Sequence, residues 1–364
     1  MKILHYINNL SSGGAEKLLT DILPLMKKEG HEISLIISNS NRNMKRHEEV
    51  FKSNKIKVID LNSSFYNPFQ IISLIKFINK GEYDIVHAHL FPSQYWLALA
   101  SIFISKNIKL IKTEHNASNN RRKYKLLRFL DIAVYNQYDL IISITEKVNR
   151  NLLNWLNRKS KTKVISNGVN LSEINDAQIV ENINGIYFKN FKNILMVGSF
   201  DFSKKNQMFL LKVLKHLPNN YRLFFAGEGP NLANVKLKAE HLGLSERVFF
   251  LGVRSDVYSI IKSVDLNILS SFHEGLSGYT LESLASGKPF LGSKVEGIKD
   301  IVPDNSFLFE NNNPKALAVK IESIINNFEE KKHMLIKAKK HVAIYDIEKM
   351  TRNYLYTYKS VIST

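Results

Sequence analysis

The sequence contains no cysteine among its 364 residues. This absence excludes disulfides, thiolate metal ligands and cysteine nucleophiles, and it fits a reducing compartment. Long apolar runs are missing as well, because no stretch approaches the roughly 20 residues that a membrane-spanning helix needs. The apolar run at 3–7 ends in polar residues and glycine, so it is too short for the core of a secretory signal. We therefore expect a cytoplasmic protein, either soluble or attached to a membrane surface.

Acidic residues are the scarcer charge: 33 Asp and Glu stand against 51 Lys and Arg, which gives a net charge of +18. Such an excess can reflect nucleic acid, an anionic membrane or an anionic substrate, and it can equally be a compositional bias toward lysine. The basic residues are not interleaved with aromatic residues, and no nucleic-acid recognition module is visible. A nucleic-acid-binding protein is therefore only a distant alternative, which salt-dependent retention on DNA would support.

Short apolar runs alternate with amphipathic segments along the whole chain, which is typical of α/β proteins with parallel sheets. A chain of 364 residues is too long for one ordinary core and predicts two domains. The alternation pauses in the polar, Asn-rich stretch 168–191 and then restarts. We predict one domain over 1–175, a second over 176–345, and a C-terminal helix over 346–364 that packs back on the first domain.

The predicted strands are short apolar runs, located at 3–7, 33–37, 57–61, 85–88, 110–113, 140–145, 163–166, 193–197, 223–226, 248–251, 266–269, 290–292 and 307–309. The predicted helices have apolar residues at helical spacing, located at 15–28, 68–79, 92–104, 121–136, 207–216, 231–242, 257–262, 279–286, 314–326, 331–341 and 347–360. Ligands of open parallel sheets bind beyond the carboxyl ends of the strands, so the loops after strands are where we look for chemistry.

The richest motif lies at 273–289 and reads HEGLSGYTLESLASGKP. Its carboxylates Glu274 and Glu282 would lie about 80° apart around a single helix, which aligns them poorly. We therefore predict Glu274 in a loop and Glu282 in the first turn of a helix that begins near Tyr279. The residues between would then offer free backbone N–H groups at a helix N-terminus, a favourable place for phosphate. These residues are Gly275, Leu276, Ser277 and Gly278.

This block resembles the Glu-x7-Glu signature of glycosyltransferase family 4, whose members are retaining enzymes with the GT-B fold. The resemblance extends along the chain and implies an α/β protein with two Rossmann-like, doubly wound parallel-sheet domains facing a central cleft. The first domain would bind the acceptor and the second the nucleotide-sugar donor. In that family the first Glu contacts the donor sugar and the second binds the nucleotide ribose, which assigns these roles to Glu274 and Glu282.

Two further motifs follow predicted strands of the first domain. Gly13 and Gly14 open a helix and would let the backbone approach a phosphate or an acceptor. A tight turn without a ligand would have the same glycine-rich sequence. They do not form the dinucleotide-binding fingerprint. His115 stands where the family typically has a His that faces the donor sugar, so the resemblance makes it a catalytic candidate beside Glu274. Taken alone, a single histidine is more often structural.

The second domain carries two more loops that recur in the family. Gly227 and Gly229 follow a strand, but Pro230 departs from the pattern of a dinucleotide-binding loop. Arg254 and Asp256 resemble the loop near the nucleotide base, which places Arg254 among the candidate donor-site residues. Asp256 would serve equally well as a helix N-cap.

One element departs from the family pattern. The resemblance matches the segment that begins at Gly198 to a Gly-Arg-Leu…Lys element whose Arg and Lys clamp the donor diphosphate, but Ser199 stands where the Arg is usual. Losing an arginine that can bind a phosphate through two bonds is not a conservative change, and it casts doubt on the strength of the clamp. The Lys role falls on Lys205 by its local sequence or on Lys204 by counting from Gly198.

The leaving nucleoside diphosphate can be stabilised by a divalent metal or by protein cations and N–H groups. Metal-dependent glycosyltransferases use an Asp-x-Asp pair, and this sequence has none. We therefore expect no metal and no other cofactor. A GT-B sugar-nucleotide epimerase is the closer alternative. It would turn over a UDP-sugar without an acceptor, whereas a transferase would not.

A basic cluster opens the predicted helix at 121–136 and alternates with leucines. It consists of Arg121, Arg122, Lys123, Lys125 and Arg128. A basic amphipathic segment suits an anionic membrane surface, although a solvated charged face has the same pattern. Relatives with lipid-linked acceptors attach through a similar helix. We therefore expect peripheral binding to the inner face of the plasma membrane and a lipid-linked glycan acceptor, in capsule, lipopolysaccharide or other surface-polysaccharide synthesis. The resemblance implies a UDP-linked donor.

Overall fold

The computed structural model describes residues 1–11, 13–115, 120–157 and 161–363, with the backbone alone at 120 and 121. The chain divides into two compact units. Unit 1 comprises Met1–Asn167 together with Ile347–Thr364, and unit 2 comprises Gly168–Asp346. Within the described ranges, no helix combines the length and the apolar character that crossing a bilayer requires.

Unit 1 is built on a sheet of parallel strands in the order β3-β2-β1-β4-β5-β6-β7. The strands are β1 Lys2–Ile7, β2 Glu32–Ile37, β3 Lys57–Asp60, β4 Ile85–His89, β5 Lys109–Glu114, β6 Leu140–Ser143 and β7 Thr162–Val164. The helices are α1 Gly14–Lys28, α2 Lys45–Ser53, α3 Gln70–Gly81, α4 Ser93–Ala100, α5 Leu127–Tyr135, α6 Glu146–Leu156 and the C-terminal α14 Ile347–Ile362. Short 3₁₀ turns lie at Ser101–Phe103 and Asn120–Lys123.

Unit 2 repeats this plan with the strand order β12-β11-β10-β13-β14-β15. A small antiparallel hairpin precedes the sheet, formed by β8 Asn182–Ile183 and β9 Ile186–Tyr187. The sheet strands are β10 Lys192–Val197, β11 Tyr221–Ala226, β12 Val248–Phe250, β13 Leu266–Leu269, β14 Phe290–Ser293 and β15 Leu308–Phe309. The helices are α7 Leu171–Asp176, α8 Gln207–Leu214, α9 Leu232–His241, α10 Val257–Ser263, α11 Gly278–Ala285, α12 Pro314–Asn326 and α13 Phe328–Val342. Short 3₁₀ turns lie at Asn305–Phe307 and Ala343–Tyr345.

Each sheet is covered by helices on both faces, which explains why its strands read as continuous apolar runs rather than alternating ones. In unit 1, the strands β1, β4 and β6 are buried along nearly their whole length. The α/β architecture with two doubly wound parallel sheets, predicted from the alternation and the family resemblance, is confirmed. Each sheet has a switch point, where the chain reverses its direction of winding. It lies between β1 and β4 in unit 1 and between β10 and β13 in unit 2.

The last helix belongs to unit 1. Its residues Met350, Tyr354 and Tyr358 are buried in the core that also contains Leu19 and Leu23 of α1. Amphipathic spacing along α14 supplies this apolar face, because residues four apart lie on the same side of a helix. The structure thus joins the two ends of the chain in a single core.

The boundary between the units differs from the predicted one at 175/176. Gly168 already belongs to unit 2, because the Val169 N–H donates to the Tyr345 oxygen at 2.8 Å. Val169 and Ile174 are both buried in the unit 2 core. The stretch 168–191, interpreted as a linker, contains α7 and the β8–β9 hairpin instead. These elements are too short to show a periodicity in the sequence.

The helix predicted over 121–136 is also wrong in its first part. The chain forms a 3₁₀ turn up to Lys123, and α5 begins only at Leu127. Helix α2 was not predicted at all, because only His47 and Phe51 of its nine residues are buried and its apolar face is correspondingly weak.

Candidate active site

The loops after β10 and β13 are tied together at the switch point of unit 2. Lys205 and Ser271 form an isolated antiparallel bridge. The Asn206 N–H donates to the Ser270 oxygen at 3.0 Å, and the Phe272 N–H donates to the Lys204 oxygen at 2.7 Å. These bonds hold the segment after β10 against the one after β13, which is where a ligand of an open parallel sheet is expected to bind.

Glu274 lies at the centre of this arrangement. Its Oε1 accepts a hydrogen bond from the Ser271 Oγ at 2.7 Å and another from the Lys205 Nζ. The side chains of Lys205 and Glu274 are only 13% and 14% exposed, so the ion pair is largely shielded from bulk water. An added Cβ on Gly198 would lie 3.2 Å from the Lys205 Cε, so a glycine leaves room for the lysine stem. The pair places a fixed ammonium beside a fixed carboxylate.

The two candidate lysines point in different directions. The Lys204 side chain is 64% exposed, and its Nζ lies 3.8 Å from the Asp201 carboxylate on the same loop. Lys205 instead contacts Glu274. The geometry therefore favours Lys205 over Lys204 as the cation of the site. Ser199, in the position where the family has an Arg, is exposed and its carbonyl oxygen accepts from the Gln207 Nε2 at 2.9 Å.

Helix α11 begins beside Glu274 and is capped by Ser277. The Ser277 Oγ accepts from the Thr280 N–H at 3.2 Å, which satisfies one of the free donors of the first turn. The Ser277 N–H donates to the Gly297 oxygen at 3.3 Å. Ser277 therefore does not offer a free N–H, which corrects the prediction that all of 275–278 would. Leu276 is half-buried and packs against the core, whereas Gly278 starts the helix with open space around its Cα.

Gly297 was not singled out from the sequence, yet it closes the site from the loop after β14. Its φ is +79°, and an added Cβ would lie 2.6 Å from the carbonyl oxygens of both Glu274 and Gly275. A side chain at this position would push the Glu274 loop away. The signal in the sequence was a single glycine three residues before an Asp, which is too common to identify a site.

Glu282 lies on α11 but not in its first turn. It is the fifth residue of a helix that begins at Gly278, one residue earlier than predicted. Its side chain is half-buried, and its Oε1 lies 3.4 Å from the hydroxyl of Tyr258 on α10. An ionised carboxylate only accepts hydrogen bonds, so Glu282 is suited to hydroxyl donors such as that of Tyr258.

The loops after β11 and β12 contain the other predicted donor-site residues of unit 2. Gly227 has a φ of +137°, and an added Cβ would lie 2.2 Å from the Gly198 oxygen, so only glycine fits there. Asp256 makes no capping hydrogen bond at the start of α10. Its carboxylate instead accepts from Arg254 through two bonds of 2.8 and 2.7 Å. These bonds lower the pKa of Asp256 below its usual range, and they fix the plane of the Arg254 guanidinium.

In unit 1, Gly13 ends the loop after β1 and Gly14 begins α1, and the two glycines have different surroundings. An added Cβ on Gly13 would lie 2.1 Å from the Oε2 of Glu16. The Glu16 side chain is buried, and its Oε1 accepts from the Ser11 Oγ at 2.9 Å. Gly14 is exposed and has nothing within 4 Å of an added Cβ. The backbone at Gly14 is therefore open to a ligand, whereas Gly13 makes room for Glu16. Ser12 of this motif lies outside the described residues.

His115 follows β5 and connects to a row of buried histidines. Its Nε2 lies 3.4 Å from the Nδ1 of His89, and the Nε2 of His89 lies 3.0 Å from the Nδ1 of His5. Burial lowers the pKa of His5 to about 3 and that of His115 to about 4, and it holds that of His89 well below its usual value. These histidines are therefore neutral near pH 7. Asn116, which follows His115, lies outside the described residues.

A fourth histidine stacks beside this row. His87 lies 4.2 Å from His89 between ring centroids, and its Nε2 and Nδ1 face the Thr113 Oγ1 at 2.8 Å and the Tyr358 hydroxyl at 2.6 Å. One nitrogen each of His5, His87 and His89 lie within 4.8 Å of one another. Sequence reasoning missed these three residues. The available signal was the spacing of 87 and 89, which puts both side chains on the same face of β4.

A buried ion cluster lies beside His115. Lys112 is fully buried, its Nζ lies 3.1 Å from the Glu114 Oε2, and it stands 3.3 Å from the centre of the Tyr135 ring. The Tyr135 hydroxyl donates to the same oxygen at 2.7 Å. Burial opposes the charge on Glu114, but Lys112 and Arg122 together hold its pKa below the usual value. Arg122 contributes from 3.6 Å with a side chain that is 9% exposed.

The predicted basic cluster is thus divided by the fold. Arg122 points inward to Glu114, and Arg128 is half-buried on α5. Lys123 and Lys125 are exposed, while the Arg121 side chain lies outside the described residues. Large apolar side chains are exposed next to the two lysines, namely Tyr124 at 66%, Leu126 at 83%, Phe129 at 73% and Leu130 at 50%. We call Lys123, Tyr124, Lys125, Leu126, Phe129 and Leu130 the α5 patch.

The chain matches two family models, one for each unit. The model for Glycosyltransferase Family 4 matches residues 12–173, and the model for Glycosyl transferases group 1 matches residues 181–342. An uncharacterised glycosyltransferase of Haemophilus influenzae is 28% identical over 96% of this chain and 97% of its own.

A second relative carries a described activity. It is the GalNAc-alpha-(1->4)-GalNAc-alpha-(1->3)-diNAcBac-PP-undecaprenol alpha-1,4-N-acetyl-D-galactosaminyltransferase of Campylobacter jejuni, 25% identical over 98% of this chain and 97% of its own. The crystal structure of Anabaena HepE in complex with UDP and glucose superposes with a TM-score of 0.84 at 20% identity, covering 99% of this chain and 100% of that one. The two family models, the full-length relatives and the fold together show that the chain belongs to glycosyltransferase family 4 and is a glycosyltransferase with the GT-B fold.

Proposed function

We propose that the protein is a retaining, metal-independent glycosyltransferase that moves a sugar from a UDP-sugar to a lipid-linked glycan in surface-polysaccharide synthesis. The observation that carries this proposal is the shielded Lys205–Glu274 pair, which lies at the switch point of unit 2 next to the start of α11. The ammonium and the helix N-terminus complement the negative diphosphate, and the carboxylate complements the positive charge that develops on the sugar.

The chemistry follows from where charge develops. As the bond between the sugar and the diphosphate breaks, negative charge accumulates on the departing phosphate and positive charge on the sugar ring. Lys205 and the backbone N–H groups at the start of α11 stabilise the phosphate, because preorganised donors and the helix dipole cost no reorganisation during reaction. Glu274, on the other side of the same ion pair, interacts with the donor sugar. His115 is the candidate that unit 1 contributes.

Glu282 is proposed to hold the nucleotide ribose. Its carboxylate is half-buried on α11 beside the Tyr258 hydroxyl, and carboxylate oxygens accept hydrogen bonds from hydroxyl groups such as those of a ribose. Arg254 is proposed to lie near the base, because Asp256 fixes its guanidinium plane. The exposed backbone at Gly14 is the proposed approach for the acceptor in unit 1.

Relatives support the identity of the two substrates. The Anabaena structure contains UDP and glucose, and the Campylobacter enzyme acts on a glycan linked to undecaprenol through a diphosphate. These descriptions belong to those proteins, and they make a UDP-sugar and an undecaprenol-linked glycan the first ligands to test.

A thermal-shift comparison of UDP, GDP and ADP tests the donor site. We expect UDP to raise the melting temperature equally with Mg²⁺ and with EDTA, since a ligand that binds only the folded state stabilises it. The Lys205→Ala variant should lose this shift, whereas Lys204→Ala should retain it because that side chain points to Asp201. A shift that requires Mg²⁺ would overturn the metal-independent part, and equal losses in both variants would overturn the role of Lys205.

Product analysis tests retention and separates transfer from epimerisation. With UDP-sugar and an undecaprenol-diphosphate glycan, NMR should show the new linkage with the same anomeric configuration as the donor. Without an acceptor, we expect slow hydrolysis and no isomeric UDP-sugar. An inverted linkage would refute retention, and an isomerised nucleotide-sugar would favour the epimerase alternative.

Peripheral binding to an anionic membrane is proposed for the α5 patch. Two exposed lysines beside four exposed apolar side chains suit a lipid surface, where cations meet anionic headgroups and apolar side chains enter the boundary with the acyl chains. We expect Lys123→Glu with Lys125→Glu to abolish cosedimentation with phosphatidylglycerol vesicles. The control is Lys212→Glu with Lys215→Glu on and after α8 of unit 2, which changes the net charge equally. Unchanged sedimentation of the first variant would refute the proposal.

A further inference from the structure

Three histidines of unit 1 form an unbranched row that ends at His115. They come from three separate strands: His5 from β1, His89 from the end of β4, and His115 immediately after β5. The contacts run from the His5 Nδ1 to the His89 Nε2 at 3.0 Å, and from the His89 Nδ1 to the His115 Nε2 at 3.4 Å. His5 and His89 are fully buried.

The row has a direction, because a neutral imidazole carries one N–H and one bare nitrogen. Each contact needs one donor and one acceptor, so the tautomers of all three rings are coupled. In the first arrangement, His5 donates from Nδ1 to His89, which donates from its own Nδ1 to the His115 Nε2. In the second arrangement every proton moves to the other nitrogen and the direction reverses.

The far end of the row decides between these arrangements. The His5 Nε2 is buried and has no hydrogen-bond partner among the described residues. In the second arrangement this atom would carry a proton and leave a buried N–H donor unpaired. In the first it is a bare nitrogen with an unused lone pair, and buried donors without a partner are the rarer and costlier case. The first arrangement is therefore favoured.

His5, His87 and His89, whose nitrogens lie close together, do not form a ready metal site. A bound metal would need one bare nitrogen from each of His5, His87 and His89. Both nitrogens of His87 already face hydroxyl groups, those of Thr113 and Tyr358. The His5 Nδ1 and the His89 Nε2 are already hydrogen-bonded to each other. The hydrogen-bonded row accounts for the cluster without an ion.

We propose that His89 is a positioning residue that fixes His115 as the tautomer with its proton on Nδ1. His115 then presents an N–H donor at Nδ1 and is unable to accept a proton there. This rests on the proposed function, in which His115 acts at the donor sugar, and it deepens that role: His115 serves as a neutral hydrogen-bond donor to a ligand oxygen and not as a base. The sugar class that it recognises therefore carries a hydroxyl or carbonyl acceptor at this point.

NMR of the full-length protein labelled with ¹⁵N-histidine tests the tautomer without using activity. The chain has 11 histidines, and His115 is assigned by the signal that His115→Gln removes. We expect a neutral ring protonated on Nδ1. A ring protonated on Nε2, or a charged ring near pH 7, would overturn the proposal while leaving the proposed transferase function untouched.

Two substitutions of His89 separate its two contacts. His89→Asn keeps an amide near the position of Nδ1, which faces His115, and His89→Gln keeps one near Nε2, which faces His5. We expect His89→Asn to preserve the His115 tautomer and most of kcat, and His89→Gln to lose the tautomer and lower kcat roughly tenfold or more with little change in KM. Equal behaviour of the two variants would overturn the proposal.

His87→Gln is the matched control. His87 is equally buried on the same face of β4, but its contacts are to Thr113 and Tyr358. This variant should leave the His115 signal unchanged even if it destabilises unit 1. If it altered the His115 tautomer as strongly as His89→Gln, the effect would reflect packing and the specific role of His89 would be refuted. If the tautomer behaves as expected but no variant affects transfer, the function proposed for His115 fails instead.

Discussion

The two units share one plan and differ in what they bury. Unit 1 encloses ionisable groups, including Lys112 and Glu114 and the histidines of β1 and β4. In the described part of unit 2, buried polar side chains other than tyrosine are Asn, Gln, Ser or Thr, and the Lys205–Glu274 and Arg254–Asp256 ion pairs lie in loops after strands. The difference indicates that the buried charges of unit 1 contribute to packing, whereas the charged side chains in the loops of unit 2 can contact a ligand.

Substitution in the unit 2 loops should therefore affect activity and leave the fold intact. Glu274→Gln removes the charge that pairs with Lys205 but keeps the shape of the side chain. We expect transfer to fall by about 10²–10³-fold, in the range for loss of one preorganised electrostatic contact, with the melting temperature nearly unchanged. Steady-state kinetics and thermal unfolding measure the two effects.

The control is Glu310→Gln, which breaks the exposed pair of Lys294 and Glu310 at 3.3 Å in the same unit. That variant should retain full activity. Near-normal turnover by Glu274→Gln would contradict the role given to Glu274.

The converse is expected in unit 1, where removing one buried charge should affect stability. Lys112→Met leaves Glu114 buried with weaker compensation from Arg122 at 3.6 Å. Breaking a buried pair in this way costs about 3–5 kcal/mol. Urea unfolding followed by tryptophan fluorescence measures it selectively, because both tryptophans, Trp96 and Trp155, lie in unit 1.

The double variant Lys112→Met with Glu114→Gln should recover part of that loss, since no uncompensated charge remains. If the double variant lost more free energy of unfolding than the two single variants lose together, the charges would not be what holds the cluster.

The stability of the two units should also differ in its dependence on pH. His5 and His115 have folded pKa values of about 3 and about 4, and burial holds those of His87 and His89 well below 6.5. Below pH 6.5 the unfolded chain takes up protons that folded unit 1 does not. Stability is therefore fully present above about pH 6.5 and falls as the pH drops toward 4, by up to about 1.4 kcal/mol per pH unit for each histidine.

Asp131 works in the opposite direction. Burial raises its pKa to about 6, so the folded unit binds this proton first and part of the loss below pH 6 is offset. We expect the urea midpoint from tryptophan fluorescence to fall between about pH 7 and about pH 5, and the unit 2 component of far-UV circular dichroism to change less. A constant fluorescence midpoint would contradict the burial of these histidines as neutral groups.

The sequence predicted the elements that repeat a local pattern. Alternating apolar runs predicted the strands, and the block around Glu274 placed a loop before a helix. The sequence did not reveal contacts that depend on the order of the strands in the sheet. His5 meets His89 because β1 and β4 are neighbours in the sheet, and His87 meets Tyr358 across 271 positions of sequence. The inward turn of Arg122 escaped notice for the same reason, since its partner Glu114 is set by the tertiary fold.

The smallest expected effect concerns the two glycines at the start of α1, Gly13 and Gly14. Gly14 is exposed at the first position of α1 with open space around it, so Gly14→Ala should raise stability by about 0.4–1 kcal/mol by restricting the unfolded chain. Gly13→Ala should lower stability instead, because its Cβ would meet the Glu16 carboxylate. If the exposed backbone at Gly14 approaches the acceptor, Gly14→Ala should also raise the acceptor KM while the donor KM stays constant. A stabilised variant with both KM values unchanged would show that Gly14 has a structural role and does not approach the acceptor.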